Sequence, residues 1–410
     1  MIVKRPRAKR AKQQDTAAFA LGALRPARAV EPADARELGA TLRAASDAGE
    51  AVVLHGGGTL QSAANPPSRY DLAISTLRLD ALYDYDQRDL TAGVGAGTTV
   101  AQLQRTLAEH GQFLPLDAPL ASQATVGGTL AAGWAGPRRT AYGRPRDLLI
   151  GVTVALADGT LATSGGMVVK NVTGYDMGKL YVGSHGTLAA IVRANFKVLP
   201  APVTRRLAIA PFDEDVRDRA VAHAAALELE PAALLVVDGF REAPPPVHAR
   251  LIVLLEGSEH VVERATRGLR SALGAAGVAE TRLLDRDDAA RAFQNLLDAY
   301  VARPGTASVT LLARGLPSEA ALRAQRVREA LPRAETIADL RTGDVVVRVD
   351  EARADRAREL LGRATVLSAA PATRVDAWGA PPSTLATMRA LKESFDPRGT
   401  LAPGRFTGGL

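Results

Sequence analysis

The sequence predicts an α+β fold made of two unlike parts, and three observations carry that reading. In the first half, short apolar runs alternate with glycine-rich turns. After about residue 205, strand-like runs alternate with Ala/Arg-rich helical runs, the pattern of helices laid on one face of a mainly antiparallel sheet. The chain has 410 residues, 47% hydrophobic and 23% charged, which is enough for two or three ordinary cores. The predicted organisation is a disordered basic tail over 1–28, a glycine-rich domain over 29–202, a second α+β domain over 203–380, and a C-terminal helix and tail over 381–410.

The elements follow in order. Residues 34–48 read as a helix with Leu38, Leu42 and Ala45 on one face. Residues 51–54 form a short apolar strand that runs into three consecutive glycines. Short strands are expected at 72–74 and 90–92. Thr99 suits the N-cap of a helix over 100–110, whose stripe is Val100, Leu103 and Leu107, and Gly111 suits its C-terminal end. Residues 149–157 read as a strand, and Asp158-Gly159 signals a hairpin into 160–163. A long strand is expected over 187–199. In the second part, strands are expected at 234–237, 251–255, 308–313 and 345–349. Leu269, Leu273 and Ala276, and a stripe from Leu322 to Leu331, read as core. The last helix spans 383–395 and is stopped by Asp396-Pro397.

Composition excludes several functions. The net charge is +7, but Lys4, Arg5, Arg7, Lys9, Arg10 and Lys12 supply six of those charges, so the rest of the chain carries +1. No basic face for nucleic acid is implied. The stretch after the basic residues lacks the apolar core and cleavage site of a secretory signal. No run of about 18 apolar residues occurs, so no membrane span is expected. The absence of cysteine removes disulfides, thiolate nucleophiles and a protein-ligated iron–sulfur cluster, and fits a reducing cytosol. No metal-ligand set is assigned.

Four glycine-rich stretches carry the functional signal. They are His55-Gly56-Gly57-Gly58-Thr59, Gly93–Gly97, Ala124-Thr125-Val126-Gly127-Gly128-Thr129, and Gly183-Ser184-His185-Gly186-Thr187. Consecutive glycines let backbone N–H groups converge on one anion without Cβ obstruction, as a pyrophosphate requires. The spacing is not that of a dinucleotide-binding fingerprint, because Thr98 stands where a third glycine belongs. Gly174–Lys179 lacks phosphate-loop spacing. His55-Gly-Gly-Gly has no G-x-S-x-G nucleophile elbow to serve.

The first half instead resembles the FAD-binding domain of the vanillyl-alcohol oxidase / p-cresol methylhydroxylase (PCMH) type. The matching segments are the GGGT loop, 89–99, the ATVGG loop and 147–159. Residues 135–139, 142–147, 165–176, 180–188 and the ending 395–406 resemble the FAD-binding E subunit of glycolate oxidase. This resemblance implies a two-subdomain PCMH-type FAD-binding domain followed by a smaller α/β cap, with the C-terminal tail returning to the FAD domain. It implies that Gly56, Gly57, Gly58 and Thr59 hold the pyrophosphate from one side, and Thr125, Gly127, Gly128 and Thr129 from the other. Gly143 and the Gly186, Thr187, Leu188 and Ile191 segment are expected on the adenine–ribityl side.

Some relatives attach flavin to a histidine directly after the glycine loop. Thr59 occupies that position, so non-covalent FAD is expected. The implied activity is oxidation of a 2-hydroxy acid to a 2-oxo acid within a glycolate oxidase–like complex. The implied partners are a catalytic FAD subunit and an iron–sulfur subunit, in the cytoplasm or peripheral to the inner face of a membrane through those partners. A stand-alone hydroxy-acid or alcohol dehydrogenase, and a non-catalytic FAD-binding scaffold, are the alternatives. No catalytic residue is assigned. None of the six histidines lies after His260, and Pro371 stands where related E subunits carry histidine. Tyr175, His248 and Arg374 are secondary candidates. Arg138 and Arg139 are candidates to balance the diphosphate or to meet a partner. Lys170, Asn171, Tyr175 and Asp176 are expected to be structural.

Overall fold

The computed structural model describes residues 12–168, 174–227, 230–240, 249–301, 307–370 and 373–410. Three sheets account for most of it.

The first sheet has four strands in the order Lys12–Gln13, Arg28–Glu31, Leu72–Ser75, Val52–His55. All but the first are parallel. The helix Ala35–Asp47 is the crossover between the parallel strands Arg28–Glu31 and Val52–His55, which flank Leu72–Ser75. The Asp34 carboxylate caps it by accepting from the Glu37 amide. Its Leu38, Leu42 and Ala45 are buried against Val52, Leu72 and Ile74. This geometry delivers the end of Val52–His55 straight into Gly56.

The second sheet is antiparallel, in the order Leu82–Asp86, Thr91–Gly95, Ala190–Lys197, Leu149–Ala155, Leu161–Gly165. Glycines bring the two sheets close. A Cβ on Gly95 or Gly97 would overlap the carbonyls of Leu79 or Thr76. The helix Val100–Ala108 packs Val100, Leu103 and Leu107 into the same core, with Thr99 accepting from Gln102 N at its start.

The third sheet has eight antiparallel strands and is built from two copies of one motif. Thr204–Pro211, Ala233–Asp238, Ala249–Gly257 and Arg282–Asp285, with helices Arg217–Ala225 and Glu259–Ala275, run β-α-β-β-α-β. Ser308–Ala313, Glu335–Asp339, Val345–Asp350 and Ala364–Ala369, with helices Pro317–Ala330 and Ala354–Leu361, repeat it. The copies join where Ala233–Asp238 pairs with Glu335–Asp339. Side chains alternate across the strands. One face, including Leu234, Val253 and Val347, packs against the four helices. The other, including Leu235, Leu254 and Val346, meets the connecting helix Arg286–Asp298 and Trp134 from the first half.

Buried ion pairs fix the third sheet to the first half. Arg138 lies against Asp117 at 2.7 Å and Glu256 at 3.4 Å, and Tyr142 donates to Glu256 at 2.9 Å. Arg139 pairs with Asp344 at 2.8 Å. The C-terminal helix Leu385–Phe395 leads back to the first sheet, where Val52 N donates to Thr400 O and Ala402 N donates to Val52 O.

Several sequence readings are corrected. The predicted disordered tail to residue 28 is too long. Lys12–Gln13 pairs with Val30 and Glu31, and Phe19 and Leu21 pack against Ala29, Val53, Tyr70 and Ala73. The ATVGG segment is no loop. It opens the helix Val126–Ala132, because Thr125 accepts from Gly128 N and Gly133 ends the helix at φ 63°. The strand predicted from 187 begins at Ala190, because His185 and Gly186 curl the chain with φ of 52° and 71°. Leu322 is half exposed. The buried positions of its helix are Ala320, Ala324 and Val327. Tyr175 is 90% exposed rather than packed. Among the described residues, no helix is long and apolar enough to cross a membrane.

Candidate functional site

Three of the four glycine stretches meet in one cleft. Its lining includes Gly56, Gly57, Gly58 and Thr59 after the first-sheet strand, and Thr125, Gly127 and Gly128 at the helix start. Gly186 and Ile191 close a third side. Gly93–Gly97 stays behind the cleft, where its glycines serve the packing of the two sheets.

The two main glycine segments have different chemistry. Among the described residues, the amides of Gly57, Gly58 and Thr59 have no protein acceptor. Those of the second segment are engaged: Val126 N donates to Thr98 O, Gly127 N to Ala96 O at 2.8 Å, and Gly128 N to Thr125 Oγ1 at 3.1 Å. The second segment therefore shapes the cleft, while the first supplies its free donors. The glycines also touch each other's segments. A Cβ on Gly57 would overlap the Gln123 carbonyl, one on Gly56 would overlap Thr125 Oγ1, and one on Gly127 would stand 2.6 Å from the Ala96 Cβ. Gly58 (φ 75°) meets nothing, and a Cβ on Gly128 meets only Thr125 Oγ1 at 3.0 Å.

Four predicted residues lie outside the lining. The Thr129 hydroxyl is buried and donates to Thr125 O. Thr187 donates to Ser184 O, and its own carbonyl accepts from Lys392 Nζ at 2.8 Å. Leu188 is core of the second sheet. Gly143 terminates the short helix Arg139–Tyr142 at φ 90°. Each is engaged by local hydrogen bonds, a helix end or core packing instead.

Sequence reasoning missed Arg405. It is 3% exposed, lines the cleft, and has no carboxylate partner among the described residues. Its Nη2 donates to Gln61 O at 2.7 Å and Gln61 Oε1 at 2.9 Å. Burial pushes its pKa down to about 10. His55 and His185 also line the cleft, and burial beside Arg405 lowers each from 6.5 to about 3, so both are neutral. His55 Nε2 lies 2.6 Å from the Tyr70 hydroxyl, which donates to Phe19 O. His185 is wedged between Trp378 (5.0 Å, edge-on) and Phe406 (5.9 Å).

Comparison with known proteins agrees with this geometry. Residues 26–165 match the model of the FAD binding domain, and residues 378–406 match that of the FAD linked oxidases, C-terminal domain. The two matched regions are those of FAD-linked oxidases. It is 29% identical to the glycolate oxidase subunit GlcD of Bacillus subtilis over 246 residues, 57% of this chain and 52% of that one. It is 34% identical to the D-lactate dehydrogenase of Archaeoglobus fulgidus over 183 residues (45% and 41%). It is 34% identical to the glycolate oxidase subunit GlcE of Escherichia coli over 185 residues (45% and 50%). The aligned parts thus span about half the length of these curated relatives. The structure of p-cresol methylhydroxylase with substrate bound shares the fold, with a TM-score of 0.72 at 17% identity, covering 94% of this chain and 89% of that one.

The cleft continues into a second cavity of about 350 Å³ beneath the large sheet. Leu60, Ala132 and His185 line both. The lining of this chamber includes the apolar Trp134, Trp378, Phe406 and Leu367 together with several arginines. Arg374 is exposed and lines neither cavity. Tyr175 lines a different surface hollow, with Lys179. Arg138 is consumed by Asp117 and Glu256 and is not available to a diphosphate or a partner. Lys170, Asn171, His248 and Pro371 fall outside the described residues.

Proposed function

We propose that the cleft holds FAD without a covalent bond, and that the chain serves the oxidation of a 2-hydroxy acid to a 2-oxo acid. The single observation that carries this reading is the pairing of free amides at Gly57, Gly58 and Thr59 with the uncompensated Arg405 in one cleft. Amide donors beside a buried cation suit a diphosphate. Thr125 and Gly128 would border it from the opposite side, and Gly186 and Ile191 would border the remainder of the cofactor. Thr59 cannot form a histidyl link, and the ring nitrogen of His55 is engaged by Tyr70.

When bound, FAD supplies a hydride acceptor for the carbon that bears the hydroxyl. The chain's own contribution is to hold the acid in the chamber and to take the hydroxyl proton. Among the described residues that line the chamber, His185 is the one titratable side chain that is not an arginine. Its depressed pKa makes it a weak proton acceptor. The chain alone is therefore a slow oxidant, and it works as the FAD-binding subunit of a glycolate oxidase–like complex. A partner with a second flavin subunit and iron–sulfur centres receives the electrons, since this chain has no cysteine. Its place is the cytoplasm or the inner face of a membrane, reached through those partners.

The test is anaerobic stopped-flow bleaching of the flavin by glycolate and D-lactate, with and without candidate partner subunits. Slow bleaching alone and fast bleaching with partners is expected. Fast bleaching by the lone chain would make it a self-sufficient dehydrogenase, and none under any condition would leave a scaffold. Acid precipitation should release all of the FAD into the supernatant.

A further inference from the structure

The chamber beneath the large sheet carries a charge pattern that a two-carbon acid does not use. Among the described residues, four arginines line it (Arg139, Arg144, Arg146 and Arg314) and no aspartate or glutamate does. Arg139 is neutralised by Asp344. Among the described residues, Arg144 and Arg314 have no ion pair, and Arg146 has only a loose 3.7 Å contact with the exposed Asp147. The cations approach from two sides. Arg144 and Arg146 flank Pro145 in the first half, at the start of the short helix Pro145–Leu148. Arg314 follows the strand Ser308–Ala313 of the large sheet.

Like charges gathered without anions raise each other's energy, and the repulsion is stronger beside a low-dielectric wall. The same cavity presents such surface in Trp134, Trp378, Phe406 and Leu367. One carboxylate is met by a single guanidinium fork. Cations on two sides of a cavity of about 350 Å³ therefore match two anionic groups held apart by a short chain.

We infer that the chamber selects 2-hydroxy acids bearing a second anionic group, with Arg314 meeting that group from the large sheet. This rests on the oxidation reading only for the hydroxyl; the anion selectivity is a separate property of the arginines.

The experiment uses the full-length FAD-loaded chain. Perturbation of the flavin absorbance is titrated with succinate and glutarate, and separately with acetate and propionate. Bleaching is followed with malate and 2-hydroxyglutarate against D-lactate. The dicarboxylates should bind at least about tenfold more tightly, and that preference should shrink as salt rises, because the pairs are solvent-accessible. Arg314→Met should cut the preference about tenfold; among the described residues only the Arg314 carbonyl is bonded, by Arg323, so the side chain has no partner to lose and folding is not at stake. Equal affinities, tighter binding of a bulky apolar monoacid such as phenyllactate, or a preference unchanged in Arg314→Met would overturn the inference. If succinate perturbs the flavin while no 2-hydroxy acid bleaches it, anion selectivity stands and the oxidation reading falls. If D-lactate bleaches the flavin and dicarboxylates gain nothing, the reverse holds.

Discussion

The two glycine segments that face each other across the cleft look alike in sequence and do different work. Gly56–Gly58 ends a parallel strand and leaves its amides free. Gly127–Gly128 begins a helix and spends its amides on Ala96 and Thr125. Glycine is required in the first because a chain must both turn and lie against Gln123. In the second it is required because a helix must pass within contact of Ala96. A glycine pair therefore does not by itself mark a phosphate donor. What marks one is an amide without a protein acceptor.

The largest effect should come from Gly57→Leu. The side chain cannot enter without displacing the Gln123 carbonyl, so the two segments separate. We expect a loss of roughly 3 kcal/mol or more in stability, together with loss of FAD on purification. Thermal melting and flavin content measure both, and normal values for both would break the contrast between the segments.

Arg405→Met should act on the cofactor more than on the fold. Hydrogen bonds to a charged group contribute about 1.5–3 kcal/mol each, so FAD affinity should drop about tenfold to a hundredfold. Arg405→Lys should recover part of it. Fluorescence titration of the apo chain with FAD decides the matter, and an unchanged affinity in the methionine variant would assign Arg405 to structure alone.

Gly128→Ala is smaller and more discriminating. The position lies in the first turn of a helix, where alanine is favoured over glycine by up to about 1 kcal/mol. Its Cβ points into open cleft apart from Thr125 Oγ1. Apo stability should hold or rise while FAD affinity falls about tenfold. Parallel changes in the two quantities would show that both segments serve packing only.

This contrast also explains what the sequence made legible. Thr99, Asp34 and the Leu38–Leu42–Ala45 stripe announce their helices locally, and the structure places them within a residue or two. The parallel strands around Val52 and Leu72 are short apolar runs with nothing polar to confuse them. The strands Leu82–Asp86 and Arg282–Asp285 were not legible, because they lie at sheet edges and carry charged residues among few apolar ones. Arg405 was hidden for another reason. Nothing local distinguishes it from the other arginines of an Arg-rich chain. Its burial follows only when Thr400–Ala402 bonds to Val52 and carries the tail to the cleft. The same holds for Arg138, whose partners lie 21 and 118 residues away.

The remaining effect concerns the two neutral imidazoles, and it tests whether the cleft is as dry and cationic as its lining implies. His55 has a folded pKa of about 3 against 6.5 when unfolded. Between those values the unfolded chain binds the proton and the folded chain does not. Stability from this group is therefore complete above pH 6.5 and is lost as pH falls toward 3. The slope is about 1.4 kcal/mol per pH unit for one such group. His185 adds to it in the same direction. Asp339 opposes it, because burial raises its pKa to about 6 and its contribution grows as pH falls from 6 toward 4. These contributions oppose one another in the intact chain, and a difference between two chains isolates one of them. His55→Leu removes one titrating group and leaves the Tyr70 hydroxyl bonded to Phe19 O. Denaturant unfolding of both chains at pH 7, 6 and 5 should give curves that converge on acidification, the intact chain losing about 1.4 kcal/mol more per unit below pH 6.5. Parallel curves would mean that His55 is solvated and charged near neutrality. The first glycine segment would then lie in water rather than in the dry pocket that its free amides and Arg405 describe.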